Sequence, residues 1–181
     1  MPNVPGRGFG GIVERSCTKP LVAAVEGFAL AGGLEIALSC DLLIASKGSR
    51  LGIPEAKRGV VAAAGALIRL PKRIPYHVAM ELALTGDPIT AERGYELGLV
   101  NRLTEPGGAV DAAMELAERI AQNAPLSLAA SKRVLRDSWG MTDEAFWTYQ
   151  RPVLAEVFGS ADATEGAKAF AEKRSPNWQG K

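Results

Sequence analysis

The sequence has few of the residues on which several large classes of protein depend. Its 181 residues include two cysteines, Cys17 and Cys40, which are too few for a disulfide framework and have no CxxC spacing. His77 is the only histidine, so a site with several histidine ligands is excluded, and nothing places a nucleophile beside it. We therefore expect His77 to lie on a helix surface and Cys40 to be a small buried hydrophobic residue.

An excess of charge and a long apolar run are also missing. Lys and Arg together number 21 against 20 for Asp and Glu, so the net charge is +1. Nucleic acids and anionic membranes need a local excess of positive charge, and neither is expected as a partner. No apolar run reaches the ~18 residues of a membrane span, and the start of the chain does not resemble a signal peptide. With 47% hydrophobic residues, the composition predicts a soluble, cytoplasmic globular protein.

The pattern along the chain predicts an α/β part followed by helices. An apolar strand at 21–25, a helix at 34–39 and an apolar strand at 42–45 imply a right-handed crossover and parallel pairing. A brief strand is predicted at 99–103. Further helices are predicted at 76–84, 90–95, 109–122, 126–139, 142–158 and 162–173. We divide the chain into an irregular segment at 1–18, an α/β core at 19–122 and a helical region at 123–181.

The first candidate site is the glycine pair Gly32 and Gly33, which stands between a predicted strand and a predicted helix. Glycine lets a ligand approach the backbone closely, and the first N–H groups of a helix have no acceptor within it. Such a position can stabilise negative charge on a carbonyl oxygen, and Glu35 follows within one turn. The same pattern is also typical of a tight turn that packs a helix on a strand, with Glu35 as a favourable first-turn carboxylate.

The second candidate is Glu55, which follows Pro54 and a short apolar stretch. A carboxyl group among apolar residues is suited to general acid catalysis, because desolvation favours its neutral form. The alternative is a solvated loop glutamate that pairs with Lys57 or Arg58. Two carboxylates beside one carbonyl-binding position would form an acid/base pair that moves a proton and a water molecule together.

These motifs resemble those of the crotonase (enoyl-CoA hydratase/isomerase) superfamily. Residues 19–41 are similar to the family signature, and the run Pro-Glu-Ala-Lys-Arg-Gly at 54–59 is similar to its second motif. Further matches lie at 84–86, 91–92, 98–101 and 165–174, so the resemblance covers 19–181. It implies an α/β fold built as a spiral of ββα units and followed by a C-terminal helical region. That region would serve oligomerisation, as a homotrimer or a dimer of trimers.

The resemblance also implies a reaction and roles for the candidate residues. The N–H of Gly32 would be an oxyanion-hole donor to the thioester carbonyl of an acyl-CoA, and Gly33 would contact the substrate. Glu35 would activate water and Glu55 would exchange the proton at the α-carbon. No metal and no cofactor is implied, since coenzyme A enters as part of the substrate. Together these roles predict an enoyl-CoA hydratase, which converts a trans-2-enoyl-CoA to a 3-hydroxyacyl-CoA in acyl-CoA metabolism.

Other functions of the same superfamily stay open. Residues 53–59, 69–72 and 173–178 also resemble the carnitinyl-CoA dehydratase branch, which applies the same chemistry to another acyl group. An enoyl-CoA isomerase, an acyl-CoA hydrolase and a non-catalytic acyl-CoA-binding paralogue are further alternatives. We interpret the basic cluster Arg69, Lys72 and Arg73 as a solvated face.

The chain departs from the family pattern at its start. The family normally begins with additional strands and a motif of the type Ala-Gly-x-Asp-Leu, which supplies a second oxyanion N–H and part of the coenzyme A site. Nothing at 1–18 resembles that motif. We therefore expect the functional polypeptide to be longer than this chain.

Overall fold

Residues 2–181 are described by a computed structural model, in which the chain divides into two units. The first unit holds residues 2–16 and Leu21–Ala117, and the second holds Cys17–Pro20 and Glu118–Lys181. The strands of the first unit are β1 (Asn3–Val4), β2 (Gly8–Phe9), β3 (Val22–Val25), β4 (Phe28–Leu30), β5 (Leu42–Ser46), β6 (Arg50–Gly52), β7 (Ile89–Thr90) and β8 (Arg102–Thr104). Its helices are α1 (Gly32–Ala37), α2 (Ala66–Arg69), α3 (Tyr76–Thr85), α4 (Ala91–Glu96) and the start of α5 (Ala109–Ala121).

The hairpin strands β1 and β2 form a sheet of their own, and the strands β3 to β6 alternate between two further sheets. One sheet has the order β3-β5-β8, all parallel, and the other has the order β4-β6-β7, in which β7 runs antiparallel. Val22 lies opposite Leu42, so the predicted parallel pairing of these two strands is confirmed. The α/β character is confirmed as well, because β3, β4 and α1 form a ββα unit and β5, β6 and α2 form the next.

The core of the first unit lies between the helices and the sheets. Leu34 of α1 and Leu38, the residue that ends this helix, are fully buried, as are Leu51 of β6 and Ile44 of β5. A period of three to four residues places these two leucines on one face, and this face covers the sheet. The short helix α1 is therefore anchored by its apolar side, which fixes the position of its first turn.

The start of the chain forms a hairpin, so the prediction of an irregular segment at 1–18 is wrong for residues 3–9. Asn3 pairs with Phe9 and Val4 pairs with Gly8 in an antiparallel ladder. The N–H of Arg7 donates to the carbonyl of Val4 at 2.9 Å, which closes a turn over Pro5 and Gly6. The φ angle of Gly6 is +70°. Proline followed by glycine is the preferred centre of a type II turn. The residues that suggested irregular structure therefore form a tight turn.

The second unit is helical. It contains α6 (Pro125–Asp137), α7 (Asp143–Phe158) and α8 (Ala161–Ala171), which confirms the predicted helices to within two residues at every end. Thr142 and Ser160 cap α7 and α8, since each hydroxyl accepts a hydrogen bond from the backbone N–H three residues later. The buried carboxylate of Asp162 accepts from the N–H groups of Gln179 and Gly180, which holds the end of the chain on α8.

Residues 2–181 contain neither a membrane-spanning helix nor a cluster of metal-binding side chains. None of the helices there is both long and apolar enough to cross a membrane. Over the same residues, no group of His, Cys, Asp and Glu side chains could hold a metal ion. His77 lies exposed on α3 and Cys40 is buried, as predicted.

Candidate active site

The turn from β4 into α1 presents the two candidate glycines at a helix start. Ala31 has φ 51° and ψ −127°, a backbone region that favours glycine, and its N–H donates to the carbonyl of Gly52 at 2.9 Å. Such strain costs on the order of 1–3 kcal/mol and persists only where the surroundings hold it, as the neighbouring strand β6 does here. No side chain caps α1, and the first-turn N–H groups of Gly32 and Gly33 have no acceptor within the helix.

The two glycines differ in the space that surrounds them. A Cβ on Gly32 would lie 2.6 Å from Cε1 of Phe9, whereas a Cβ on Gly33 would have no neighbour within 4 Å. The Phe9 ring of the N-terminal hairpin thus packs directly against Gly32, and open space lies beside Gly33. Phe9 was missed by the sequence analysis, since it lies 23 residues before Gly32 in a segment that predicted no structure.

Glu35 is buried, with 1% of its surface exposed. Its Oε1 accepts hydrogen bonds from the N–H groups of Ala64 and Ala66 at 2.7 and 3.1 Å. Its Oε2 is buried and has no partner among the described residues. A favourable first-turn carboxylate would be solvated, so that alternative does not describe Glu35. A buried carboxylate oxygen without a partner is costly, and it marks a position for a water molecule or a substrate group.

Glu55 has a similar environment on a different element. It lies in a short 3₁₀ helix, Pro54–Arg58, in which Pro54 occupies the first turn. Glu55 is 8% exposed, and its Oε2 also has no partner among residues 2–181. Lys57 pairs with Asp87, and Arg58 is exposed. The structure therefore places Glu55 among buried residues and not in a solvated ion pair.

A cavity of about 400 Å³ opens beside Glu55. Apart from this carboxyl group and Tyr76, its walls are apolar side chains, among them Ile53, Leu67, Leu70 and Met80. Neither Glu35 nor Gly32 lines the cavity. A single loop, residues 59–65, connects the 3₁₀ helix of Glu55 to α2. Val60, Val61 and Ala62 of this loop line the cavity, and Ala64 binds Glu35.

Two of the three residues in the predicted basic cluster, Arg69 and Arg73, bind backbone carbonyls instead of forming a solvated face. Lys72 is exposed, but Arg69 and Arg73 are half-buried. The guanidinium group of Arg69 donates to the carbonyls of Ala64, at 3.0 Å, and Val13, and that of Arg73 donates to the carbonyl of Cys40 at 3.1 Å. Burial lowers the pKa of both arginines. The prediction of a solvated face is wrong because α2 ends after four residues and continues as a 3₁₀ turn at Leu70–Lys72, which changes the direction of the side chains.

We expect Gly32→Ala to lower the free energy of unfolding by about 1–3 kcal/mol, the usual cost of overpacking. The new methyl group would meet the Phe9 ring at 2.6 Å. Urea unfolding of the purified variant measures the loss. Gly33→Ala is the matched control, because its methyl group meets no atom within 4 Å and should change stability little.

A double-mutant cycle isolates the contact. In a Phe9→Ala background, Gly32→Ala should cost clearly less than it does in the wild type, because the ring that it meets is gone. Equal costs in the two backgrounds would show that Phe9 does not pack on Gly32.

Comparison with known proteins gives one family throughout. The family model described as enoyl-CoA hydratase/isomerase matches residues 14–181. A carnitinyl-CoA dehydratase of Proteus mirabilis is 38% identical over 179 residues, which cover 96% of this chain and 69% of the relative. A carnitinyl-CoA dehydratase of Salmonella typhi is also 38% identical, over 98% of this chain and 69% of its own length.

Solved structures give closer similarities. A crystal structure of an enoyl-CoA hydratase from Mycobacterium tuberculosis H37Rv superposes with a TM-score of 0.96 at 57% identity, over 98% of this chain and 70% of that chain. An enoyl-CoA hydratase from Mycobacterium marinum gives a TM-score of 0.95 at 56% identity, with the same coverage of both chains.

Proposed function

The chain belongs to the enoyl-CoA hydratase/isomerase family, the crotonase superfamily, and we propose that it adds water across the double bond of a trans-2-enoyl-CoA to give a 3-hydroxyacyl-CoA. The similarity to hydratases and dehydratases of this family supports an enzyme of the hydro-lyase type that acts on acyl-CoA thioesters. One observation carries the proposal: Glu35 and Glu55 are both buried, and each has a carboxylate oxygen with no partner among the described residues.

The chemistry needs three groups, and the candidate site offers one residue for each. The N–H of Gly32 would donate to the thioester oxygen, on which negative charge develops as water adds to C3. Glu35 would accept a proton from that water through its free Oε2 while Oε1 stays bound to Ala64 and Ala66. Glu55 would deliver a proton to C2. Water thereby supplies the hydroxyl group at C3, and proton exchange with solvent returns both carboxyl groups to their starting states.

The cavity favours an acyl group with a hydrocarbon tail. Its volume of about 400 Å³ and its apolar walls suit an alkyl chain, and Glu55 stands where the chain would meet the reacting carbons. A carnitinyl group ends in a quaternary ammonium, which proteins hold with aromatic faces or a carboxylate. Tyr76 is the one aromatic side chain along the wall, and Glu55, the carboxylate there, is assigned to the proton. The carnitinyl-CoA dehydratases at 38% identity make that reaction the second candidate.

A comparison of two substrates tests the proposal. Loss of the enone absorbance is followed with crotonyl-CoA and with crotonobetainyl-CoA, on this chain and on a version extended upstream. We expect kcat/KM to be higher for crotonyl-CoA than for crotonobetainyl-CoA by roughly tenfold or more. Differences of this size are usual when two substrates differ in their contacts with a binding pocket. A reversed preference would establish the second candidate, and activity on neither substrate in either version would contradict both.

A further inference from the structure

Arg69 holds the loop that binds the carboxylate of Glu35. The N–H of Ala64 donates to Oε1 of Glu35 at 2.7 Å, and the carbonyl of the same residue accepts from Nη1 of Arg69 at 3.0 Å. The other terminal nitrogen of Arg69 donates to the carbonyl of Val13, a residue that is 4% exposed. One guanidinium group therefore joins the loop to the N-terminal segment at the buried residue Val13.

The side chains of the loop form no hydrogen bonds that would hold its shape. Residues 60–66 read Val-Val-Ala-Ala-Ala-Gly-Ala, so their side chains are short and carry no polar atoms. Gly65 has φ +102°, and a Cβ there would lie 2.0 Å from Nη1 of Arg69. The guanidinium group thus fills the space that a side chain at 65 would need, so the backbone of Gly65 lies close to it.

The electrostatics agree with this arrangement. Burial lowers the pKa of Arg69 from its usual value, and the Glu35 carboxylate acts in the opposite direction. Arginine stays protonated at any working pH, so its five N–H groups remain donors. A planar fork that binds two carbonyls from different segments holds them at a fixed separation, which a lysine ammonium on a flexible chain does not.

We propose that Arg69 is a positioning residue, which fixes the carboxylate of Glu35 by clamping residues 64–66 to Val13. Its consequence for catalysis rests on the proposed function. With the clamp in place, Oε1 is occupied by two backbone donors, and the buried Oε2, which has no partner among the described residues, is left for the water of the proposed reaction. Without it, the loop relaxes and the carboxylate moves relative to the substrate.

The kinetic test compares Arg69→Met with Arg73→Met. Arg73 is the matched control, because it is also half-buried and also donates to a backbone carbonyl, that of Cys40, which lies outside the loop that binds Glu35. We expect Arg69→Met to lower kcat for hydration up to about 100-fold, as a displacement near 1 Å does, with KM little changed. Arg73→Met should leave kcat unchanged.

A second reaction distinguishes misplacement of the Glu35 carboxylate from a general loss of active-site structure. Exchange of the α-proton of butyryl-CoA with deuterated water requires Glu55 and the oxyanion donor but no addition of water. Arg69→Met should retain this exchange while hydration falls. Unchanged hydration, or equal losses in both reactions, would overturn the role of Arg69. Gly65→Ala, which displaces the guanidinium group without removing it, should reproduce the same split.

Amide hydrogen exchange tests the clamp without any catalysis. In Arg69→Met the N–H groups of Ala64 and Ala66 should exchange faster than in the wild type, and in Arg73→Met they should not. Unchanged exchange at both amides in Arg69→Met would overturn the inference, whatever the activity. If the wild type hydrates no enoyl-CoA, the proposed function fails, and the amide result alone then decides whether Arg69 fixes Glu35.

Discussion

Replacing Glu35 with glutamine is expected to lower kcat for enoyl-CoA hydration by about 10²- to 10⁴-fold, the usual contribution of a general base. Glutamine has the same shape, and its amide oxygen can still accept from the N–H groups of Ala64 and Ala66. Its amide nitrogen then takes the place of Oε2, and that nitrogen cannot accept a proton from water. The fold is kept while the base is removed.

The enone absorbance of crotonyl-CoA measures this loss, and urea unfolding checks that stability is kept. Glu96→Gln is the charge-matched control, because Glu96 is exposed and pairs with Arg93 on α4, outside the candidate site. Exchange of the α-proton of butyryl-CoA should persist in Glu35→Gln, since that reaction needs no water addition. Hydration at the wild-type rate would remove Glu35 from the proposed mechanism.

The Glu55→Gln variant is expected to lose both reactions, each by about 10²- to 10⁴-fold. Glu55 is the carboxyl group assigned to C2, and both hydration and α-proton exchange make or break a bond to hydrogen at that carbon. Glutamine should preserve the cavity walls, because Glu55 is 8% exposed and the amide occupies the same volume. KM for crotonyl-CoA should therefore change much less than kcat.

The two variants together form a sharper test than either does alone. Glu35→Gln should separate hydration from proton exchange, whereas Glu55→Gln should not. Deuterium incorporation into butyryl-CoA, followed by mass spectrometry, measures the second reaction in both. Retained exchange in Glu55→Gln would show that another group transfers the α-proton. It would contradict the roles that we assign to Glu35 and Glu55.

Residue patterns predicted the local structure because each pattern is complete within a short stretch of chain. The apolar run of β5 and the spacing of Leu34 and Leu38 at α1 are visible without any tertiary contact. The short strands β4 and β6 were missed, since Gly27 and Gly52 interrupt the alternation that identifies a strand. The hairpin at the start was missed for a related reason, because each of its strands has only two residues, too few to show an alternating pattern.

Sequence motifs also placed the catalytic candidates. Gly32, Glu35 and Glu55 stand in two runs whose resemblance to one family does not depend on knowing the fold, and the comparisons confirm that family. What the motifs left open was the environment of each glutamate, since burial and solvation were both compatible with the same residues.

The sequence by itself determined the family, the α/β class, the longer helices and the residues that carry the candidate chemistry. Only the tertiary structure decided that both glutamates are buried, that Phe9 packs on Gly32 and that Arg69 holds the loop around Glu35. The physical reason is distance along the chain: Glu35 meets its two backbone donors 29 and 31 residues away, and Arg69 meets Val13 across 56 residues. Contacts of that span leave no periodic trace in a sequence, because they depend on where the packed core brings separate segments together.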